Sequence, residues 1–311
     1  MDIMAWLGTL PGAAAQGLVW GLMAVGVYMT YKILDVADLT VDGSIATGAA
    51  VCAVLVTKGV NIWVAMLCAL LAGILAGTVT GLIHVFLGIP AILSGILTQL
   101  MLWSANLLIL GGKANLGLPR LKFGDKLLIS SDVAVSNGKI FVTLGILAAF
   151  CAVVILALYL FLGTKFGAAV RATGNNLNMS RAQGINTNLT KVVGLAISNG
   201  VVALAGSLLV QQQGGASVDM GRGAIVYGLA AIVIGEALCA RFNTPYVVKQ
   251  ICVLCGGIIY WFVYQTVIFI GLPTEYFKML SAIVVALFLG LPYIKKTYFS
   301  RAKKKEGHKN A

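Results

Sequence analysis

The stretch that decides the fold reads TKFGAAVRATGNNLNMSRAQGINTNLTKVVGLAISNGVVALAGSLL and spans residues 164–209. Its first part, residues 164–191, is polar and holds four basic residues and no acid. The chain then stays apolar for roughly 20 residues, the length that a helix needs to cross the hydrocarbon core of a bilayer. A basic loop that leads into such a block is typical of a helix that enters a membrane from the cytoplasm.

The same alternation runs through the rest of the 311 residues, of which 59% are hydrophobic and only 10% are charged. A soluble domain carries roughly 25% charged residues, and the mean hydropathy of this chain is +0.96. We therefore predict an all-α polytopic membrane protein that forms a single transmembrane domain over residues 1–311. The apolar blocks give about nine spans, near residues 14–31, 43–57, 62–87, 89–111, 140–162, 191–211, 223–239, 247–270 and 277–293. The segment 1–12 is too short to span and is expected to lie along the membrane interface.

Lys and Arg predict the orientation, because loops rich in them stay in the cytoplasm. The C-terminal tail, residues 294–311, is strongly basic and is predicted to be cytoplasmic. Counting back through the spans places the loop 164–191 inside, the loop 113–139 outside and the N-terminus outside. The basic residues expected inside, besides those of the tail, are Lys32, Lys165, Arg171, Arg181, Lys191, Arg241 and Lys249. The net charge of +12 is thus mainly a topology signal and does not indicate nucleic-acid binding.

The loop 164–191 has the pattern of a short, capped helix. Asn175 or Asn176 can cap its N-terminus, residues 177–183 can form about two turns, and Gly184 can take the left-handed conformation that ends a helix. A short helix of this kind, projecting from a membrane domain, is suited to docking on a partner. The alternative is a basic loop that lies against lipid headgroups.

Signatures of catalysis are absent from the sequence. A phosphate-binding loop needs Gly-Lys followed by Ser or Thr, but residues 112–114 read GKA and residues 138–140 read GKI. The two histidines, His84 and His308, belong to no metalloprotease motif. We predict no catalytic residue, no metal site and no cofactor in this chain. The six cysteines lie in or beside spans and are expected to act as small apolar residues, including the pair Cys252 and Cys255.

Four stretches of the sequence resemble one family. They are the stretch 164–209, AVGVYMTYKILDVADLTVDGS at 24–44, GTVTGLIHVFLGIPAILSGILTQL at 77–100 and GRGAIVYGLAAIVIGEAL at 221–238. In this order they resemble the ABC transporter permeases that serve branched-chain amino acids, ribose and other simple sugars, and nucleosides. The whole layout is similar to the branch associated with tryptophan and tyrosine uptake. The chain departs from many members at Gly235-Glu236, where they have a Gly-Gly pair, and in the loop CARFNTPYVVK that follows.

The resemblance implies the transmembrane permease subunit of a binding-protein-dependent importer in the bacterial inner membrane. It implies two such subunits, expected to be identical, two cytoplasmic ATPases that bind ATP and Mg²⁺, and an extracytoplasmic binding protein or lipoprotein. The substrate is expected to be a small nutrient, with an aromatic or other amino acid favoured. The loop 164–191 would couple the permease to the ATPase, through residues Arg171, Asn175, Asn176, Asn178, Arg181 and Gly184.

Polar residues inside spans are candidates for the substrate path, because a polar group without a partner is costly in hydrocarbon. These candidates are Thr98, Gln99, Ser104, Asn106, Ser198, Asn199 and Gln211. Each of them could instead bond a neighbouring helix. Glu236 is the one carboxylate expected within a span, with Arg241 as its partner. The alternative function, an ion-driven carrier acting alone, usually needs buried carboxylates and is therefore less favoured.

Two patterns of small and acidic residues concern architecture. Gly73, Gly77 and Gly81 recur on one helix face and are expected to let another helix approach closely. Shifting the chain by 177 positions aligns Val41-Asp42 with Val218-Asp219. This alignment predicts an inverted repeat of four helices on either side of a central helix, with Asp42 and Asp219 at opposite faces of the membrane. Chance similarity is the alternative.

Overall fold

A computed structural model describes residues 3–118, 137–239 and 245–270, together with residues 279, 282, 283, 286 and 290. The helices are α1 (Ile3–Tyr28), α2 (Val41–Thr57), α3 (Ile62–Phe86), α4 (Ala91–Ile109), α5 (Asn137–Gly163), α6 (Lys165–Asn175), α7 (Leu177–Ala182), α8 (Thr187–Gln213), α9 (Ala224–Cys239) and α10 (Tyr246–Phe269). A π-helical turn, Met29–Ile33, extends α1, and two short strands, β1 (Asn115–Gly117) and β2 (Gly215–Ser217), pair antiparallel. The predicted all-α membrane fold is confirmed. Within the described residues, six helices are long and apolar enough to span a bilayer, while α2 and α9 are apolar but shorter.

Eight of the nine predicted spans correspond to observed helices whose ends lie within a few residues of the prediction, apart from the start of the first. The ninth, 277–293, and the basic tail fall almost entirely outside the described residues. The N-terminal segment is not separate from the first span, because α1 already begins at Ile3 and runs without interruption through Pro11, while its location along the interface stays a prediction. Proline removes one backbone donor and strains a helix without always ending it, and an apolar sequence on both sides continues the helix here.

Helix α8 is the centre of the bundle, and it packs against α1, α2 and α3. The glycine face of α3 meets it directly, which confirms that these small residues serve helix packing. A methyl group at Gly77 would collide with the Leu195 backbone, and one at Gly81 would lie 2.8 Å from the Cα of Val192. Such close backbone approach replaces the hydrophobic driving force that helices lack in lipid.

Helix α2 starts in the interior of the bundle. Ser44 bonds Asn199, and the thiol of Cys52 contacts the Ser207 carbonyl, both across 155 positions, so α2 and α8 run parallel. Asn199 lies 12 residues after the first residue of α8, which is about 18 Å along the helix. Helix α2, which begins three residues before Ser44, therefore starts about a third of the way along α8 and runs beside the rest of it.

The chain reaches that depth through an irregular segment, residues 34–40, between the π-helical turn and α2. Val36, Asp38 and Thr40 within it are all buried. An irregular backbone at membrane depth is tolerated where protein surrounds it or where it lines a cavity. The predicted second span, 43–57, is therefore a helix that starts inside the bundle and is reached through a buried, irregular segment.

The directions of the helices agree with an inverted repeat. Helices α1 and α8 are equivalent in the alignment and run antiparallel, since Ser198 bonds the Gly26 carbonyl while Gly194 lies against Leu34. Helix α9 follows the direction of α1 and so opposes α2, its own equivalent. The fourth helix of the second half falls almost entirely outside the described residues.

The charged residues separate into two ends, as the sequence predicts. Lys32 pairs with Glu236 at 2.9 Å, and both Arg171 and Lys249 lie over the ring of Tyr246, at the end from which α6 and α7 project. Lys58 and Lys113 belong to the other end, where α2 ends and β1 pairs with β2, whereas Arg222 lies in the turn before α9, beside the start of α2. The predicted partner of Glu236, Arg241, lies outside the described residues, and Lys32 takes that place in the structure.

Labelling from the two sides of the membrane checks this orientation. In a cysteine-free background, Asn115→Cys should react only with a reagent added outside, and Asn178→Cys only after the reagent can enter the cytoplasm. The two positions flank opposite ends of α8, which at 27 residues spans about 40 Å. Reaction of both cysteines from the same side would contradict the orientation.

Two of the six cysteines differ from the prediction. Cys239 at the end of α9 and Cys252 on α10 form a disulfide, while Cys255 is free and exposed. Cys252 and Cys255, although close in sequence, therefore do not bond each other. Cys239 was the partner that spacing along the sequence could not indicate, because packing of α9 on α10 brings it close.

Candidate functional site

Two short helices begin at the same place in the interior. Asp42, in the first turn of α2, accepts hydrogen bonds from the backbone N–H groups of Gly223 at 2.8 Å and Ile225 at 3.0 Å, at the start of α9. Its carboxylate thus lies between the N-termini of α2 and α9, where both helix dipoles favour negative charge. Discontinuous helices whose N-termini meet near mid-membrane are a recurring way in which transporters build a site.

The segment before α9 folds back into the bundle to make this junction. After β2 the chain returns inward, and Gly221 packs so closely on α2 that a methyl group would collide with the Asp42 carbonyl. Asp219 pairs with Arg222 at 2.9 Å and accepts a hydrogen bond from the indole of Trp103 at 3.2 Å. The expectation that Asp42 and Asp219 lie at opposite faces is therefore wrong. Asp42 lies in the first turn of α2, and Asp219 lies in the turn that precedes α9 and packs on the start of α2, so the two equivalent positions are on the same side of the bundle.

A cavity of about 310 Å³ opens beside the junction. It is lined by Asp42, Gly43, Gln99, Leu100, Trp103, Asn106, Val218 and Arg222. Asn106 is 1% exposed, and among the residues that the structure describes neither its amide nitrogen nor its amide oxygen has a hydrogen-bond partner. A buried amide without partners costs about 1–3 kcal/mol per unsatisfied group, which a bound polar group would recover. The cavity therefore has the size, the apolar walls and the free polar group of a site for a small ligand.

Of the seven predicted substrate-path residues, Gln99 and Asn106 line this cavity. Two others bond backbone carbonyls of their own helix, Thr98 that of Ser94 and Gln211 that of Ser207. The remaining three are also away from the cavity. Ser104 is exposed on α4, Ser198 bonds α1, and Asn199 belongs to a separate polar cluster.

That polar cluster surrounds Asp38, which the sequence analysis did not single out. Asp38 accepts hydrogen bonds from the Asn199 amide at 2.6 Å and from the Thr40 backbone N–H at 2.9 Å. Ser44 donates to the same asparagine at 2.6 Å, and the hydroxyls of Thr40 and Thr80 lie 2.8 Å apart. Glu236 is therefore not the one carboxylate within the membrane domain. The predicted spans leave Asp38 between residues 31 and 43, in a stretch that also holds Asp35 and Asp42.

The predicted coupling segment has the local structure that its sequence indicates. The side chain of Asn176 accepts a hydrogen bond from the Met179 backbone N–H at 3.0 Å and so caps α7. Gly184 follows the helix with a φ of 76°, the left-handed conformation expected there. The prediction of a short helix that Asn176 precedes and Gly184 follows is confirmed, while the role of this helix in coupling stays a prediction.

The other predicted coupling residues lie around this helix. Asn178 is exposed on α7, and Arg181 is exposed with its Nε bonded to the Thr187 hydroxyl at 3.1 Å. Arg171 and Asn175 lie instead on α6 and line a second cavity, of about 560 Å³, at the same end of the bundle. The structure thus divides the predicted set into a group on α7, available to a partner, and a group that faces a cavity.

The whole chain is similar to known transport permeases. Residues 10–289 match the family described as branched-chain amino acid transport system, permease component. The chain is 38% identical over 274 residues to a tyrosine transport system permease protein of Clostridioides difficile, covering 88% of both chains. No solved structure matches it.

More distant relatives carry other substrates in their names. The chain is 30% identical over 228 residues to the autoinducer 2 import system permease protein LsrC of Salmonella paratyphi B, covering 73% of this chain and 62% of that one. It is 39% identical over 83 residues to the xylose transport system permease protein XylH of Haemophilus influenzae, which is 27% of this chain and 22% of that one. The chain is thus similar to permeases whose names give different substrates.

Proposed function

Because the chain belongs to the family of branched-chain amino acid transport permease components, we propose that it carries an aromatic amino acid through the membrane as the permease subunit of an ATP-driven importer. The family resemblance noted in the sequence is confirmed, and the chain is a multi-pass transport permease of the ABC type. Such subunits are generally non-catalytic, and their transport systems include an ATPase and a binding protein.

The proposed arrangement of the importer follows from the family. Cytoplasmic ATPase subunits hydrolyse ATP and hold its Mg²⁺, so this chain needs no cofactor of its own. An extracytoplasmic binding protein or lipoprotein delivers the substrate, and a second, identical permease subunit completes the path in the bacterial inner membrane. Exposed α7, with its capped start and basic surroundings, supports a contact with the ATPase.

The cavity beside Asp42 supports an aromatic amino acid as substrate. The observation that carries the proposal is the buried, unpartnered amide of Asn106, which can bond a polar group of the ligand. Trp103 and Leu100 offer an aromatic ring and an apolar surface, and aromatic pairs add about 0.5–1.5 kcal/mol to the burial of their area. The relative named as a tyrosine transport permease is similar over nearly the whole chain, which favours the same substrate class.

An ion-driven carrier acting alone is the second candidate, and the buried carboxylate of Asp38 is the observation that favours it. Such carriers keep carboxylates in the membrane to bind an ion or a proton. However, both oxygens of Asp38 are hydrogen-bonded, one to Thr40 and the other to Asn199. A carboxylate engaged in this way fixes the backbone of residues 34–40 and has a structural role sufficient to explain its burial.

Uptake by proteoliposomes tests both proposals. The permease is reconstituted with its ATPase and binding protein, and uptake of labelled tyrosine, tryptophan, leucine and ribose is measured with and without ATP inside. We expect ATP-dependent uptake of the aromatic amino acids. Uptake by the permease alone along an ion gradient would support the carrier instead, and uptake of ribose in preference to tyrosine would contradict the substrate.

Asn106→Leu should lower uptake of the aromatic substrate by about tenfold, because the ligand then loses a hydrogen bond inside an apolar site. Ser104→Ala, on the same helix but exposed and outside the cavity, is the matched control and should transport normally. Equal activity of the two variants would show that the cavity does not hold the substrate.

A further inference from the structure

The second cavity, of about 560 Å³, lies at the end of the bundle predicted to face the cytoplasm, between the π-helical turn, α6 and the start of α10. It is lined by Tyr31, Lys32, Ile33, Asp35, Ala168, Arg171, Ala172, Gly174, Asn175 and Tyr246. Its polar walls and position distinguish it from the cavity beside Asp42. No residue of the proposed substrate site contributes to it.

Basic groups gather around one aromatic ring in this cavity. The guanidinium of Arg171 lies 5.1 Å from the centroid of Tyr246, and the ammonium of Lys249 lies 5.7 Å from the same centroid. Lys32 is the third basic residue, and its charge is offset by Glu236 at 2.9 Å. Each of these two cations lies over the same ring, and an anion that binds beside either of them would gain a favourable charge interaction.

Arg171 has a free donor in this cavity. Its Nε is buried and has no hydrogen-bond partner within the described part of the chain. A guanidinium presents five N–H donors in a planar fork that matches the oxygens of a phosphate. Within residues 3–118, 137–239 and 245–270, three cations, Lys32, Arg171 and Lys249, lie in or beside the cavity. Two carboxylates, Asp35 on its wall and Glu236 bonded to Lys32, oppose them, so positive charge is in excess there.

We propose that this cavity binds a phosphate group, as carried by the headgroup of an anionic phospholipid of the cytoplasmic leaflet. Basic pockets between membrane helices on the cytoplasmic side are suited to such headgroups. Tyrosine, which lines this cavity at Tyr31 and Tyr246, is enriched at the level of the headgroups. The phosphate accepts hydrogen bonds from Arg171 and lies within reach of Lys249. Since α6 leads directly into α7, a bound headgroup restrains the segment that precedes the proposed coupling helix.

The test measures how ligands change the thermal unfolding of the purified permease in neutral detergent. Phosphatidylglycerol, phosphatidylcholine and inorganic phosphate are added separately, and retained lipid is counted by native mass spectrometry. We expect phosphatidylglycerol to raise the unfolding midpoint and to be retained, while phosphatidylcholine has no such effect. R171Q should weaken the binding of phosphatidylglycerol at least about tenfold, the loss expected from one charge-assisted bond.

Two further variants keep the result interpretable. R171K keeps the charge but lacks the planar fork, and we expect binding between that of the wild type and that of R171Q. K165Q removes a charge from the same helix at an exposed residue outside the cavity, and should bind as the wild type does. A response to inorganic phosphate equal to that of the lipid, and lost in R171Q, supports the phosphate site with a soluble source. Equal effects of the two lipids, or an undiminished response in R171Q, would overturn the proposal.

Discussion

Replacing Asp42 by alanine is expected to lower substrate uptake to less than about a tenth of the wild-type rate and to destabilise the fold by about 3 kcal/mol. The carboxylate accepts two hydrogen bonds from the first turn of α9 and itself stands in the first turn of α2. Its removal leaves two backbone N–H groups without an acceptor and brings two positive helix ends together without a compensating charge. The cavity wall that depends on this junction would then lose its shape.

Asp219→Asn is the matched control for Asp42→Ala. Asp219 belongs to an exposed ion pair with Arg222, which is expected to contribute less than about 1 kcal/mol. The asparagine keeps an oxygen that can accept from Trp103. Asp42→Asn should be intermediate, because its amide retains one acceptor oxygen for the two N–H donors. Thermal unfolding and ATP-dependent uptake are measured for all three. If Asp42→Ala is no more impaired than Asp219→Asn, the junction does not organise the site.

The positions of the helices could be predicted from the sequence because each apolar block is long and bounded by polar residues or by glycine and proline. The depth in the bundle at which a helix starts could not be predicted in this way. Residues 41–57 and 224–239 have the composition of ordinary spans, and only their contacts with α8 and α1 reveal that they begin inside the bundle. Hydropathy counts apolar residues along the chain and carries no information on how far a loop enters the protein.

The candidate site, too, could be predicted from the sequence only in part. Asn106 and Gln99 could be predicted as polar residues in a span, although five similar residues proved to bond the protein or lie elsewhere. Asp38 and Asp42 were missed as site residues because their partners lie 161 and about 180 positions away in sequence. A polar side chain is costly in a membrane whether it binds a ligand or a neighbour, so the sequence signal is identical and only the contacts distinguish the two cases.

The coupling segment supplies the second large expected effect, and Gly184→Val is the change that produces it. Gly184 has a φ of 76°, and a Cβ added there would meet nothing within 4 Å, so the expected penalty comes from the backbone conformation. A left-handed conformation costs a residue with a side chain about 1–2 kcal/mol, and more when the side chain is β-branched. We expect α7 to be displaced and substrate-stimulated ATP hydrolysis by the assembled importer to fall about tenfold or more, while the permease still folds.

The controls separate backbone strain from the mere presence of a valine. Gly163→Val introduces the same side chain at an exposed glycine that also has open space but no positive φ, and it should leave ATP hydrolysis unchanged. Gly184→Asn should retain most of the activity, because asparagine tolerates the left-handed conformation. Arg181→Glu tests the contact itself, since reversal of an exposed charge at an interface should reduce co-purification of the ATPase, although this change also removes the hydrogen bond to Thr187. If both Gly184→Val and Arg181→Glu keep the full ATPase complement and full stimulation, α7 is not the coupling element, because neither the position of this helix nor its charge then matters to the partner.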